Sequence, residues 1–576
     1  MTTASTRSPR RKGGRARGRG EVTRPRTTAP AEAAPAPAAE TAPIGTSQAT
    51  AGRRREDWPE IPDRLYAAVG VLILIVAAGL RMFDLPLVPF HHDEGVNGNF
   101  MVGLVRTGTF TYDPANYHGP TLFYFALASE FLFGMTDFAL RFVPALFGLG
   151  TVALMLALRP FVGPLASLGA AGLVALSPGA VYFSRYFIHE SLLVFFSLAI
   201  VVALLWYVRK RRERYLLLAA GAAALLFATK ETGIITVAVM AIAAVVGMVY
   251  VRWRDERRPA YQRPVQPARR GSRARGAAGR GERWSADVRA LFPPERLLTA
   301  GFVFVLLYVL FFTSFFSNPG GLTDSLATFT IWTQTGGATQ TQPLPQYLTW
   351  MSEADPVILI LGFVGGLLVA WRGSDRIAVF IGLWALGITL AYSVISYKVP
   401  WIALNMLIPL AILGGIAISE AAAYLRSARS RRLWAFGAAA LVGCIGLSTY
   451  QAVDLNFNRY DDEHAYPYVF VHTTREALAL VAETERVAAA AGDAPELGIT
   501  FVTPEYWPLP WYYRDNPLAG FFGRVTTTEQ AMIVARADQE TDLRAAINDG
   551  YEAKGTYTLR PGVELVLWVR NDLAGL

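Results

Sequence analysis

Cysteine is nearly absent from this chain of 576 residues: the one example, Cys444, sits inside an apolar run. A single cysteine forms no intramolecular disulfide and builds no cysteine-based zinc cluster, so cysteine usage says nothing about redox compartment. Charge is scarce as well. Asp, Glu, Lys and Arg make up 17% of the residues, against about 25% in a soluble domain. Hydrophobic residues reach 53% and aromatics 12%. The deficit of charge falls in long apolar runs, which excludes an ordinary soluble protein and indicates an integral membrane protein. The net charge of +9 is not a nucleic-acid signature, because much of the excess lies in two Arg-rich stretches, 7–26 and 252–296, that flank apolar segments. Neither offers a folded basic module with interleaved aromatics, so no nucleic-acid partner is expected. The first apolar segment begins near residue 66, too late for the core of a cleaved signal peptide, and is expected to be an uncleaved span.

Residues 1–60 are rich in Arg, Thr, Ala and Pro with few large apolar side chains, so a disordered basic tail is expected there. Apolar segments follow at 66–83, 139–158, 163–182, 188–208, 214–229, 232–252, 297–316, 355–371, 376–394, 400–424 and 432–452. Each approaches the roughly 20 residues that cross a bilayer, giving about 11 spans. With the N-terminus in the cytoplasm, the basic clusters 209–214, 253–296, 372–376 and 426–432 all fall on the cytoplasmic side, as the positive-inside rule requires. Counting 121–135 as a further span would invert every one of them. That stretch is therefore expected to be an interfacial helix, introduced by Tyr117-His118-Gly119-Pro120. The expected organisation is a transmembrane domain over 61–452, with outer loops at 84–138 and 317–354. A soluble α/β domain follows over 453–576, outside the membrane, with helices near 474–491 and 540–548 and strands near 498–502, 530–535 and 564–569. Multi-pass placement in the plasma membrane is expected. The aromatic stretch 506–515, YWPLPWYYRD, reads either as a loop facing lipid or glycan or as a packed loop between domain and membrane.

The polar residues that this topology places outside carry the candidate chemistry. HHDEGVNGNF, 91–100, puts four ionisable groups at a lipid boundary. Asp93 sits where a helix cap belongs and Glu94 in the first turn, ahead of a stripe of Val96, Phe100, Met101, Leu104 and Val105. Asp93 is the candidate base for a hydroxyl acceptor. His91, His92, Asp93 and Glu94 also have the chemistry to hold a divalent metal, and a plain helix cap accounts for the same residues. SRYFIHES, 184–191, offers Arg185 with His189 and Tyr186 with Glu190, each pair four residues apart. Interfacial anchoring is the alternative there. Lys230 and Glu231 occupy a tight turn between spans, and YSVISYKVPW, 392–401, brings Tyr397, Lys398 and Trp401. Arg185, Lys230 and Lys398 each stand at or just before a helix N-terminus, where free N–H groups and partial positive charge favour a phosphate. A base and a phosphate site on one face suit glycosyl transfer from a lipid-linked phosphosugar.

These motifs carry a resemblance. A first span, an outer loop opening on Asp-Glu, a Pro-initiated interfacial helix and DFALRFVPALFGLGTVALM, 137–155, are similar to the GT-C membrane glycosyltransferases, among them the protein mannosyltransferases and aminoarabinose lipid A transferases. HHDEG, YHGP, SRYFIHE, the Lys-Glu turn, SYKVPW and YWPLPWYYRD more closely resemble the family named for association with flippase activity in archaeal protein glycosylation. The resemblance implies a polyprenyl-phosphate sugar donor, a glycan or protein acceptor, and a site between the outer loops and the bilayer. It implies Asp93 as base, with Glu94 beside it, and Glu190 as the acidic residue opening a later span. Donor phosphate binding would fall to Arg185, Lys230 and Lys398, and substrate contacts to His92, His118, His189, Glu231, Tyr397 and Trp401. Two positions depart from the broader pattern: Gly95-Val96-Asn97 where relatives often carry Arg, and His118-Gly119-Pro120 where they often carry Lys-Pro. A flippase or transporter for a lipid-linked sugar, or a non-catalytic accessory subunit, is the competing reading. A transporter would carry inverted repeats and charges at mid-membrane, and the charges here gather at one face.

Overall fold

The computed structural model describes residues 61–575 apart from 117, 258–289, 336–340, 374, 493–496 and 548. The expected tail at 1–60 and most of the basic loop 253–296 lie outside the described residues. The helices include α1 (Asp63–Met82), α2 (His92–Thr107), α3 (Thr121–Phe133), α4 (Asp137–Ala157), α5 (Pro164–Leu176), α6 (Glu190–Lys210), α7 (Glu213–Phe227), α8 (Gly233–Arg257), α9 (Pro294–Phe312), α10 (Pro356–Arg372), α11 (Arg376–Val394), α12 (Leu404–Ala428), α13 (Arg431–Val453) and α14 (Glu476–Ala491).

Every expected apolar segment lies on a helix. Among the described residues eight helices are long and apolar enough to cross a membrane, or ten if two bent pairs each count as one span. The expected eleventh, α7, has 15 residues. It rises about 22 Å at 1.5 Å per residue, short of a hydrocarbon core of about 30 Å. The bent pairs are α5 with 178–185, turning by 63°, and 346–354 with α10, turning by 117°. Pro178 and Pro356 open the second member of each pair; proline pushes the residue before it out of the helical region. One carboxylate joins the two breaks. Ser177 donates its hydroxyl to Asp355 at 2.6 Å, and the Gly179 amide donates to the other Asp355 oxygen at 3.2 Å.

The centre of the bundle is α12, buried along most of its length. Its sequence is apolar all round, the pattern of a helix surrounded by others. Glycine makes the closest approaches. A Cβ on Gly365 of α10 would stand 2.0 Å from the Leu413 carbonyl oxygen, and one on Gly415 would stand 2.1 Å from that of Ala166 in α5. Helix ends inside such a bundle leave carbonyls that water cannot reach, and arginines serve them. Buried Arg81 donates to Val174 and Ala175 at the end of α5, at 2.8 and 3.2 Å.

Beyond α13 the chain forms a five-stranded sheet in the order β2-β1-β3-β5-β4, with β1 (Ile499–Phe501), β2 (Ala519–Phe521), β3 (Met532–Arg536), β4 (Tyr551–Arg560) and β5 (Val563–Arg570). β1 pairs parallel with β2 and β3, while β5 runs antiparallel to β3 and β4. Helix α14 packs its buried face, including Ala477, Leu480 and Val487, into the core of this sheet. The expected strands correspond to β1, β3 and β5. β2 and β4 carry weaker patterns: the former is three residues, and the latter is polar along half its length.

Candidate active site

The first turn of α2 is held from three sides. His91 is its cap: the Asp93 amide donates to His91 Nδ1 at 3.1 Å, and Glu94 Oε2 accepts from the His91 amide at 2.9 Å, a reciprocal capping box. Glu94 is fully buried. Arg141 of α4 grips it with two hydrogen bonds of 2.7 and 2.6 Å, and the Phe187 amide donates to it at 2.7 Å. Arg141 also donates to the carbonyls of Leu85, Val88 and Pro89. Glu94, expected to share in catalysis, thus has every lone pair engaged by protein donors; the structure makes it the anchor of the turn. Asp93, the next residue back, is half-buried, and its carboxylate has no hydrogen-bond or ion-pair partner among the described residues. Asn97 completes the attachment, donating to the Phe187 carbonyl at 2.9 Å.

Phe187 leads directly to the second group. His189, Glu190, Lys230, Glu231 and His118 gather where α6 begins and where α7 turns into α8. Lys230 is ion-paired to Glu190, and His118 Nδ1 lies 3.3 Å from Glu231. The His118 and Lys230 backbones form a β-bridge, and His189 Nε2 meets the Gly119 carbonyl at 3.2 Å. The His118 and His189 ring centroids are 4.9 Å apart. Gly119 permits this: a Cβ there would stand 2.1 Å from the Ala228 carbonyl oxygen. Burial alone would lower the Lys230 pKa, but Glu190 and Glu231 outweigh it and raise it, with Tyr397 adding to the effect. Burial would raise Glu231, and His118 and Lys230 overcome that and lower it. Both stay ionised at neutral pH. Buried His189 is pushed well down, by burial first and then by His118 and Lys230. Arg209 and Lys210 close the helix that Glu190 opens, about 30 Å away along its axis.

The other two expected phosphate cations are turned elsewhere. Arg185 is buried and donates to the carbonyls of Leu80, Arg81, Phe83 and Asp84, with its guanidinium 4.6 Å over the Phe457 ring. It serves the C-terminal end of α1. Lys398 donates to Ile395, which caps the end of α11, and to Gln342 at 3.3 Å. The orphan carbonyls of buried helix ends claim both side chains, which corrects the expectation of a three-cation phosphate site. Lys230 alone of the three sits with the acidic and histidine residues.

His91 and His92 also part company. His91 Nε2 meets the Phe470 carbonyl at 2.9 Å, and its ring lies 5.8 and 5.9 Å from those of Tyr186 and His472, which are themselves 5.7 Å apart, with Trp401 edge-on at 5.9 Å. Half-buried His92 meets Arg560 at 3.3 Å. Its pKa is lowered, chiefly by burial, against the opposing pull of Asp93. With His91, His92 and Glu94 each turned to a different partner, the four residues 91–94 do not form a metal site. Among the described residues no group of three or more His, Cys, Asp or Glu is placed to hold a metal ion.

The stretch 505–514 is a packed loop between the sheet domain and the membrane helices. Pro508 lies against Gly95 and Trp511 against Gly98, so that a Cβ on either glycine would come within 2.5 and 2.8 Å. Trp511 stacks on Phe90 at 4.9 Å and donates to Asp137 at 2.8 Å. Sequence reasoning passed over Arg141, Arg560, Glu505 and His472. An arginine inside the apolar stretch 137–155 was the available signal for Arg141; nothing local marks the other three.

A family model described as dolichyl-phosphate-mannose-protein mannosyltransferase matches residues 115–263, well under half the chain. A search of curated proteins finds no match. Among solved structures, ArnT from Cupriavidus metallidurans bound to undecaprenyl phosphate is similar over 89% of this chain and 99% of that one, with TM-score 0.59 and 17% identity. The fold is that of the GT-C glycosyltransferases. The archaeal oligosaccharyltransferase AglB from Archaeoglobus fulgidus, in complex with an inhibitory peptide and a dolichol-phosphate, is similar over 88% of this chain and 76% of that one, with TM-score 0.52 and 13% identity. At such identities the likeness is one of GT-C fold, in a multi-pass helical membrane protein with a small C-terminal sheet domain.

Proposed function

We propose that this protein transfers a sugar from a polyprenyl-phosphate donor to a hydroxyl acceptor, with Asp93 as general base. The observation that carries the reading is the contrast within one helical turn. Glu94 is locked by Arg141, Phe187 and the His91 amide, while Asp93 is held in place by its backbone and keeps a free carboxylate. A carboxylate with no protein proton donor is free to take a proton from a bound hydroxyl. The GT-C fold and the lipid phosphates named with ArnT and AglB support a donor of that class.

In the step itself the acceptor hydroxyl gives its proton to Asp93 as its oxygen bonds to the anomeric carbon. The bond from that carbon to the phosphate oxygen breaks, and the electron pair leaves on polyprenyl phosphate. A single displacement of this kind inverts the anomeric centre. Lys230, kept charged by Glu190 and Glu231, offers the departing phosphate its electrostatic partner. His118, His189, Tyr397 and Trp401 lie around the same end of the bundle for contacts to sugar or acceptor. The site faces outward from the plasma membrane, with the N-terminus in the cytoplasm. The resemblance of the motifs to the flippase-associated family of archaeal protein glycosylation supports a protein or growing glycan as acceptor.

The test is release of polyprenyl phosphate from a polyprenyl-phosphate hexose by purified protein with a hydroxyl acceptor. Asp93→Asn should abolish release and leave thermal unfolding unchanged. Undiminished turnover in that variant removes Asp93 from the role. No release by the native protein returns the reading to a flippase or an accessory subunit.

A further inference from the structure

The C-terminal domain reaches the first turn of α2 at one polar point. Arg560, the last residue of β4, is buried. Its guanidinium is ion-paired with Glu505 and lies 3.3 Å from His92 Nδ1. A guanidinium donates hydrogen bonds and accepts none. His92 Nδ1 must therefore be the acceptor, and the ring's proton is on Nε2. That nitrogen has no protein partner among the described residues, and the residue that follows is Asp93.

We propose that the Arg560–Glu505 pair completes the active site by fixing His92 as a neutral Nε2–H donor beside Asp93. The sheet domain is then a positioning element of the transfer reaction. The inference rests on the proposed function of Asp93 and adds residues more than 400 positions away in sequence.

A role as domain glue fits the contacts less well. Pro508 on Gly95 and Trp511 on Gly98 and Phe90 already make a tight apolar seam. An ion pair whose carboxylate is 38% exposed adds little to such a seam, because solvent screens its attraction. What the pair adds is direction: Glu505 holds the guanidinium so that one N–H meets the lone pair of a single ring nitrogen. Lowering of the His92 pKa by burial acts in the same sense.

Two measurements on the full-length protein in lipid nanodiscs test this. The first is carbethoxylation of His92 by diethylpyrocarbonate, followed by mass spectrometry. The reagent attacks the ring lone pair, which Arg560 covers in the native protein. Arg560→Gln should therefore speed modification of His92 at least about fivefold. Equal rates in native protein and variant overturn the proposal, since a ring with its lone pair on Nε2 would react freely in both. The second is release of undecaprenyl phosphate from an undecaprenyl-phosphate hexose with a hydroxyl acceptor. Arg560→Gln should lower kcat at least about fivefold with KM within about twofold, and His92→Ala/Arg560→Gln should be no slower than His92→Ala alone within about twofold. If Arg560→Gln fails to fold, Arg560→Lys is read in its place, because an ammonium cannot engage Glu505 and His92 in the same fork geometry. Native turnover with unimpaired Arg560 variants overturns this inference alone. Inactive native protein overturns the proposed function and, with it, this role in transfer.

Discussion

Replacing Glu94 by Gln is the sharpest probe of how the first turn of α2 is built. The native carboxylate accepts four hydrogen bonds, two from Arg141 and one each from the His91 and Phe187 amides, and both partners of the ion pair are wholly buried. A carboxamide keeps one oxygen acceptor and presents an N–H₂ group to donors. Arg141 also loses the one carboxylate that pairs with it among the described residues. Breaking one side of a buried pair costs about 3–5 kcal/mol, because the remaining charge is left uncompensated. The three carbonyls that Arg141 also serves prevent it from swinging away to water. Thermal unfolding in detergent should therefore show Glu94→Gln strongly destabilised. Arg141→Met should also be destabilised, through those carbonyls as well as Glu94. The double variant should cost about 2–3 kcal/mol less than the two single costs added together, the signature of direct coupling. Strict additivity, or a Glu94→Gln protein that melts with the native one, would refute the account of Glu94 as an anchor.

Other expectations follow from neighbouring features. Gly365→Ala places a methyl group 2.0 Å from a backbone oxygen of α12 and should lower stability by about 1–3 kcal/mol; a variant as stable as the native protein would mean that α10 and α12 separate easily. Glu231 has its pKa lowered from 4.5 by His118 and Lys230 against burial. A depressed carboxyl contributes stability above its unfolded pKa and loses it as pH falls through the folded value. The stability gap between native protein and Glu231→Gln should then be full at about pH 6 and shrink below about pH 4; a gap that widens on acidification contradicts the assignment.

The helices were legible because twenty apolar residues in a row have few other uses, and the GT-C architecture was implied by the resemblance that the motifs carry. The span count was less so, since α7 looks like a span by composition yet is only 15 residues long. In the site, the fold brings together only some of the side chains that the motifs singled out. His118, His189, Glu190, Lys230 and Glu231 do come together. Arg185 and Lys398 were read by their position near helix starts. What decides their partners is the end of the helix that precedes each in space, α1 for Arg185 and α11 for Lys398. A sequence shows that a helix ends; it does not show which distant cation will satisfy its carbonyls. The same limit separated Asp93 from Glu94, identical in kind until Arg141 engages one and not the other.

The hydrogen bond from the Phe90 amide to the Tyr512 hydroxyl, at 2.8 Å, joins residues 422 apart. Alongside it, Trp511 and Pro508 close over α2. The helix carrying Asp93 leaves the ribosome long before the groups that wall it in. A nascent chain therefore has no finished site, however many spans it has already inserted. On the proposed function, transfer starts only once residues 508–512 have closed over the helix that bears Asp93, so the order of synthesis delays the chemistry.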